Sequence, residues 1–384
     1  LKHSVLPFPI AMSCSASLPG VADATAAPAA SARSGASLSP DRLAARAASA
    51  TVLPAAPNAN SADLVSQRAA QLNLPKRLTL GLSVDAIEEY ITALPADAVE
   101  QCNRAIPRKG GKPKFPANAA LNGYVNQWLV ARFSEAEGGK AYCETLYERG
   151  DPGVGVATVF VSWFLETPLA TLVDALRQYL RLHPELPPDT KFWVCDFVIR
   201  QLGDDVKADV KRLGDCVRAV GHTVLLMEPF YNPKPLRRAY CIKEVFHTQA
   251  SGARFEVVMS SEQQTAFETA LVEDFDSIAK KLSEVDVRKA ECRNPEDTEQ
   301  ILGELEREVG LTECNKAVFG LLRGALAGQG RAALERMEPA ERATSVLITN
   351  LGHLLYFQGD LEGAEPLYRE SLEARRETLG DRHP

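Results

Sequence analysis

Between residues 151 and 290, the sequence alternates short apolar runs with longer amphipathic stretches. Residues 154–161 and 192–199 are nearly continuous runs of apolar side chains, rich in β-branched and aromatic types. The stretches 169–180 and 206–220 that follow them place apolar residues on one face of a helix. Strands that are apolar on both faces belong to parallel sheets whose connecting helices cover each side. This region therefore predicts an open parallel sheet of about five strands flanked by helices.

The rest of this region continues the same order. We predict strands at 223–227, 255–259 and 285–287, and helices at 235–246, 264–282, 295–309 and 312–326. In an open parallel sheet, a small-molecule site lies beyond the carboxyl ends of the strands. Ser162, Trp163 and Arg200 directly follow the first two apolar runs. They are therefore the candidate ligand-binding residues.

Changes in composition divide the chain into four parts. Residues 1–80 are dominated by Ala, Ser and Pro and contain few large side chains to bury, so they predict a disordered leader. Residues 83–150 predict a small helical region, and residues 151–327 form the α/β domain. The glycines of the sequence Gly328-Gln329-Gly330 predict a break before the C-terminal section, residues 340–384.

Charge and apolar content argue against several classes of function. The formal net charge of -7 argues against a nucleic-acid binder or a membrane-surface protein, and no apolar stretch is long enough to cross a bilayer. The eight cysteines are scattered without the paired spacing of a zinc site, so we expect no metal and a reducing, cytoplasmic location. An organelle is the alternative location, because the leader is poor in acids and contains Arg33, Arg42 and Arg46.

The C-terminal residues 345–384 carry a spaced set of small, apolar and aromatic side chains. Its key positions are Leu351, Gly352, Gly359, Ala364 and Tyr368. This pattern resembles the tetratricopeptide repeat of kinesin light chains, in which two helices pack closely at small residues and a glycine forms the turn. The resemblance implies a helical hairpin that binds a protein or a peptide. Because the motif reaches Pro384 and one hairpin cannot cover its outer face, we expect further repeats beyond that residue.

Two short motifs in the α/β region point to a second family. Residues 158–162 read Thr-Val-Phe-Val-Ser, and residues 236–245 contain Tyr-Cys-Ile-Lys-Glu, beginning at Tyr240. They are similar to the first strand and to the Trp-Cys-x-x-Glu helix of TIR domains, the Toll/interleukin-1 receptor module. The resemblance covers residues 154–290 and implies a flavodoxin-like, TIR-like sheet. It departs from the family after Ser162, where Trp-Phe-Leu-Glu replaces Arg-Gly-Glu-Asp.

The TIR resemblance also implies a reaction. In TIR domains that hydrolyse NAD, the Glu of the helix motif is catalytic, which gives Glu244 this role, with NAD as substrate and no bound cofactor. A carboxylate beside the ribose stabilises the positive charge that develops when the N-glycosidic bond breaks. Ser162 and Trp163 would line the same cleft, with the indole ring stacked on the ligand. The alternative for Glu244 is a solvated residue on the helix surface beside Lys243.

Two further residues have competing interpretations. Cys241 lies near the start of a helix, where a thiol is activated, but its motif position favours a core residue. Asp196 lies inside an apolar run, so it must be paired or hydrogen-bonded. It either forms a structural pair with Arg200, four residues later, or belongs to the site.

Together these features predict a signalling or scaffolding protein. Its repeat would bind a protein or peptide partner, and its TIR-like module would self-associate or bind a ligand. The alternative is an NAD glycohydrolase of the TIR type that uses Glu244. In a third interpretation, the α/β unit is an inert spacer between interacting parts.

Overall fold

The computed structural model describes residues 59–106, 113–116, 119–274, 278 and 284–379, and the greater part of the predicted leader, residues 1–58, lies outside them. The described strands are β1 (Leu80–Leu82), β2 (Val154–Val156), β3 (Val159–Ser162), β4 (Phe192–Val194), β5 (His222–Leu226) and β6 (Arg254–Val258). The described helices are α1 (Ala59–Leu72), α2 (Val84–Ala93), α3 (Ala98–Ala105), α4 (Gly123–Ala136), α5 (Tyr142–Glu148), α6 (Leu169–Leu182), α7 (Cys195–Val198), α8 (Asp205–Lys211), α9 (Leu213–Val220), α10 (Ala239–Ser251), α11 (Ser261–Glu273), α12 (Pro295–Glu308), α13 (Leu311–Glu335), α14 (Pro339–Thr344), α15 (Val346–Gln358) and α16 (Leu361–Leu379). Within these described ranges, no helix is both long and apolar enough to span a membrane.

The six described strands form one mixed sheet in the order β2-β1-β4-β3-β5-β6. β4, β3, β5 and β6 run parallel, while β1 is antiparallel to both β2 and β4. The prediction of an α/β sheet with helical connections is confirmed, but the prediction of about five all-parallel strands is wrong. The apolar run at 154–161 is divided between the edge strand β2 and the inner strand β3. β1 begins at the last residue of the predicted leader, Leu80, where no strand was predicted.

One predicted strand is absent and another is shorter than predicted, because the chain turns instead of extending. The strand predicted at 285–287 is replaced by a 3-10 turn, Val287–Lys289. The backbone N–H of Val287 donates to Asn315 Oδ1 at 2.9 Å, and its side chain is fully buried. The strand predicted at 192–199 ends at Val194, because the next four residues form the helical turn α7.

Residues 59–82 are folded, so the prediction that a disordered leader extends to residue 80 is wrong. Leu78, Leu80 and Leu82 are each at most 1% exposed. The indole N–H of Trp193 donates to the carbonyl oxygen of Leu78 at 2.9 Å, which ties the segment to β4. The few large apolar residues of this segment therefore anchor it to the core, and its last three residues form β1 of the sheet, although its average composition resembles that of the residues before it.

Helix α13 joins the sheet to the C-terminal helices. It runs through 25 residues without interruption, so the break predicted at Gly328 and Gly330 is wrong. The helix packs against β6, α10 and α15, and Gln329 Nε2 donates to the carbonyl oxygen of Val257 at 3.1 Å. A Cβ on Gly330 would lie 3.2 Å from Leu351 Cδ1. A glycine at residue 330 therefore permits close packing between α13 and α15.

Replacing Gly328 by alanine is expected to raise the unfolding free energy by about 0.5 to 1 kcal/mol, because alanine favours a helix over glycine. A Cβ at residue 328 would have nothing within 4 Å, so no packing cost opposes the gain. Urea denaturation measures the change. The matched control is Gly330→Ala, whose Cβ would crowd Leu351 and should give a smaller gain or a loss. Destabilisation by Gly328→Ala would contradict a continuous α13.

The C-terminal helices α15 and α16 form the predicted hairpin. Gly359 between them has a φ of +81°, a left-handed conformation that glycine adopts without steric cost. Leu351 and Ala364 are at most 2% exposed. A Cβ on Gly352 would lie 2.9 Å from Cε1 of Tyr368, so the tyrosine ring packs directly on the backbone of α15. The hairpin is thus held together at its small residues.

Candidate functional site

Ser162 lies where the order of strands in the sheet reverses. β3 is the first of the four parallel strands in the chain, β4 lies on one side of it, and β5 and β6 lie on the other. In open α/β sheets, ligands bind in the crevice at the carboxyl ends of the strands at such a switch point. Ser162 is the last residue of β3 and therefore lies at this crevice.

Glu244 on α10 reaches the same point. Ser162 Oγ donates a hydrogen bond to Glu244 Oε2 at 2.5 Å, and the two residues are 0% and 7% exposed. One turn later, Thr248 Oγ1 donates to the carbonyl oxygen of Glu244 at 2.8 Å and lies 2.9 Å from Thr223 Oγ1 on β5. This face of α10 is thus packed on the sheet, and the alternative of a solvated surface glutamate is wrong.

The surroundings of Glu244 change its acidity. Burial raises the pKa of Glu244 to about 7, although the hydrogen bond from Ser162 and the nearby guanidinium of Arg238 act in the opposite direction. Near neutral pH, the carboxyl group therefore exists in both protonation states. Such a group can supply either a carboxylate or a proton donor, and perturbed pKa values of this kind cluster at functional sites.

Glu244 also faces a cavity of about 230 Å³. At about 30 Å³ for each water, this volume would hold roughly eight water molecules, so it is much larger than a packing defect. Its aromatic lining residues are Tyr124, Trp128 and Tyr240, and its cationic ones are Lys114, Arg132, Arg238 and Arg293. A cavity with convergent polar and aromatic groups is typical of a small-molecule site. Within the described residues, no group of three or more His, Cys, Asp or Glu side chains could hold a metal ion.

None of the three predicted ligand-binding residues lines this cavity, and Ser162 is connected to it only through its hydrogen bond to Glu244. Trp163 is 2% exposed, and a Cβ on Gly123 would lie 2.9 Å from its Cη2, so the ring packs in the core against the start of α4. Arg200 pairs with acidic residues of neighbouring helices: its Nη2 lies 2.9 Å from Glu144 Oε1, and its Nη1 lies 2.7 Å from Asp205 Oδ2. The structure thus brings Ser162 and Glu244 together, but of the predicted site residues only Glu244 lines the cavity.

Asp196 is fully buried in the helical turn after β4. Its Oδ2 accepts a hydrogen bond from Asn126 Nδ2 at 3.2 Å, and its Oδ1 accepts one from the Cys195 thiol at 3.4 Å. Burial raises the pKa of Asp196 to about 6, although these hydrogen bonds oppose the shift. Of the two alternatives for Asp196, the pair with Arg200 is wrong, because that guanidinium binds other carboxylates, and Asp196 does not line the cavity.

Cys241 is a core residue, as its motif position favours. It is 1% exposed, and its thiol donates to the carbonyl oxygen of Trp163 at 3.4 Å. Burial raises the pKa of the Cys241 thiol to about 12. The thiolate, which is the nucleophilic form, is therefore scarce near neutral pH.

None of the four cations that line the cavity was predicted from the sequence as a site residue, and two of these, Arg238 and Arg293, lie close to the start of α10. Arg238 stands two residues before Tyr240, inside the TIR-like motif, so its charge could have been read as part of the site. Arg293 lies beyond that motif, and only the folded chain brings it near: the N–H of Ala239 donates to the carbonyl oxygen of Glu291 at 3.1 Å. No local pattern in the sequence indicates this backbone pairing.

Comparisons with known proteins identify the C-terminal part of the chain. The family model described as tetratricopeptide repeat matches residues 344–384, the range that contains α15 and α16. A tetratricopeptide repeat of the kinesin-light-chain type is therefore present there, as the motif predicts. Comparison with curated proteins and comparison with solved structures gave no match. Repeats of this family generally mediate binding between proteins, which indicates the class of function of this hairpin.

Proposed function

We propose that this chain is a scaffolding or signalling protein that binds a protein or peptide partner through its C-terminal repeat. The main support for this proposal is an open groove of about 550 Å³ on the hairpin. Three of its lining side chains are strongly exposed: Tyr356 (55%), Leu361 (58%) and Leu372 (49%). Contiguous apolar surface of this kind marks an interaction site, because its contact with water is unfavourable. We call this surface, with its charged rim on α16, the hairpin groove.

Charges of both signs alternate along the rim of the hairpin groove. Its ionisable residues on α16 are Glu365, Arg369, Glu373 and Arg376. An apolar centre with a polar rim is the usual anatomy of a protein interface, whereas a surface for nucleic acid or anionic lipid would be uniformly basic. The partner is therefore a polypeptide with apolar anchors flanked by charges of both signs. In the same proposal, the TIR-like α/β unit self-associates or binds a ligand.

A peptide library displayed on phage and selected on the immobilised protein tests this function. We expect selected peptides to bind with micromolar affinity, and we expect Leu372→Glu to weaken that binding at least about tenfold, because a buried carboxylate loses its hydration. The matched control is Leu64→Glu, which alters a leucine on α1 that is 56% exposed and outside the hairpin groove. Failure to select any peptide would count against the proposal.

A second function, hydrolysis of NAD by a TIR-like domain, is favoured by the hydrogen-bonded pair of Ser162 and Glu244 at the switch point. When the four parallel strands are numbered by their order in the chain, they lie side by side in the order 2-1-3-4. This order agrees with the flavodoxin-like sheet that the TIR resemblance implies. In this proposal the Glu244 carboxylate stabilises positive charge on the ribose as nicotinamide leaves. Ser162 orients the carboxylate through its hydrogen bond.

Incubation of the full chain with NAD at high protein concentration tests the second function, with chromatography following the release of nicotinamide. Catalytic release that continues beyond one equivalent per chain supports a hydrolase. Absence of release would reject the hydrolase and leave the proposed partner binding at the hairpin groove untouched, because the two proposals depend on different surfaces.

A further inference from the structure

The cavity beside Glu244 contains two arginines that stand over aromatic rings. The guanidinium carbon of Arg293 lies 4.9 Å from the centre of the Tyr124 ring, and that of Arg238 lies 5.7 Å from the centre of the Tyr240 ring. All four residues line the cavity. Arg238 is only 5% exposed, so its charge is buried, and the residue lines the cavity.

Backbone pairing fixes the two arginines relative to each other. The N–H of Ala239 donates to the carbonyl oxygen of Glu291 at 3.1 Å, and the N–H of Glu291 donates to the carbonyl oxygen of Arg237 at 2.8 Å. These bonds hold the segment that carries Arg293 against the start of α10, which carries Arg238. The two guanidinium groups therefore reach the same cavity because of the fold, although they are far apart in the sequence.

The cavity carries an excess of positive charge. Its lining contains four cationic residues and two acidic ones, Glu135 and Glu244, within the described chain. Burial keeps part of the Glu244 population neutral at physiological pH, since its pKa lies at about 7. An anion would therefore be attracted into this space, and guanidinium groups bind phosphate with paired hydrogen bonds.

We propose that Arg238 and Arg293 together bind the phosphate of a nucleotide in this cavity. Trp128, which also lines the cavity and is partly exposed, provides a surface on which a planar base packs, and the arginines provide the anion contacts. This inference rests on the proposed ligand-binding role of the α/β unit, but it does not require that the ligand be cleaved.

Calorimetric titration of the full chain with ADP, adenosine and inorganic pyrophosphate tests the proposal. We expect ADP to bind at least about tenfold more tightly than either of the other two, because it alone offers both the ring and the phosphates. Binding of adenosine as tight as that of ADP would overturn the phosphate site. Binding of pyrophosphate as tight as that of ADP would overturn the nucleotide assignment, since it would indicate a simple anion site.

Two variants locate the contacts. Arg293→Gln should weaken ADP binding about tenfold or more and leave adenosine binding unchanged, while the exposed Arg307→Gln serves as the matched control with wild-type affinity. Arg238→Lys keeps the buried charge but loses the paired hydrogen bonds, so it should also weaken ADP binding. Thermal unfolding of each variant checks that it is folded. Wild-type ADP affinity in folded Arg293→Gln and Arg238→Lys would overturn the proposal, whereas ADP binding without nicotinamide release would reject only the hydrolase.

Discussion

Replacing Gly81 by alanine is expected to lower the unfolding free energy by about 3 kcal/mol, a large effect for one methyl group. Gly81 is the middle residue of β1, which lies between β2 and β4. A Cβ at this residue would lie 2.7 Å from the carbonyl oxygen of Phe192 and 3.0 Å from the Cβ of Ala157. The nearest atom belongs to the backbone of a buried strand and cannot rotate away. Either β1 or β4 would therefore have to move.

Gly155 provides the matched control, because it pairs with Gly81 across β1 and β2. A Cβ on Gly155 would lie no closer than 3.4 Å to a neighbour, the Cε atom of Lys191. We expect Gly155→Ala to change the unfolding free energy by less than about 1 kcal/mol, and Gly81→Ala to lower the melting temperature by roughly 5 to 10 °C. Equal melting temperatures for the two variants would show that residues 80–82 do not form an inner strand.

If the α/β unit hydrolyses NAD, Glu244→Gln is expected to reduce nicotinamide release at least about 100-fold, because a neutral amide cannot stabilise the developing positive charge. Release by the wild-type protein should rise with pH around a midpoint near 7, as the buried carboxyl loses its proton. Glu304→Gln is the control, since Glu304 pairs with Lys243 at 2.5 Å and does not line the cavity. Release by Glu244→Gln at the wild-type rate would eliminate this residue as the catalytic group.

The same variant has a readout that does not depend on activity. The pKa of Glu244 in the folded chain, about 7, is above the ordinary value of 4.5, so the folded state binds the proton more tightly than the unfolded state does. The contribution of Glu244 to stability is therefore greatest below pH 4.5 and is lost as the pH rises to 7, by on the order of 3 kcal/mol. Denaturant unfolding should show this decline in the wild type, and Glu244→Gln should lack it. Parallel pH profiles would contradict a buried, protonated carboxyl.

Features of the fold that depend on local periodicity could be predicted from the sequence. The runs that form β3 and β5 are apolar on both faces, and the stretch that forms α6 is amphipathic, so burial alone selects their conformations. The hairpin of α15 and α16 was predictable for another reason. Gly352 permits close packing between the two helices, and Gly359 adopts a positive φ in the turn. Few other residues meet either steric requirement.

Features that depend on distant partners could not be predicted. β1 has only three residues, and its stability comes from pairing with strands more than 70 residues away, so no local pattern distinguishes it from the Ala-rich residues before it. Gly328 and Gly330 suggest a break because glycine disfavours helices, but α13 is packed against β6 and α15, and tertiary contacts outweigh the propensity. The candidate site likewise contains one residue that a local motif indicates and one that depends on a distant partner. Glu244 was indicated by a motif, whereas Arg293 depends on a backbone pairing seen only in the folded chain.

In the proposed function, a polypeptide binds in the hairpin groove and covers its exposed apolar residues. Calorimetric titration of the tightest selected peptide into the wild type, Leu64→Glu and Leu372→Glu measures this binding. We expect equal dissociation constants for the wild type and Leu64→Glu, a negative heat-capacity change on binding, and binding at least about tenfold weaker for Leu372→Glu. An unchanged dissociation constant in Leu372→Glu would show that the hairpin groove is not the binding surface.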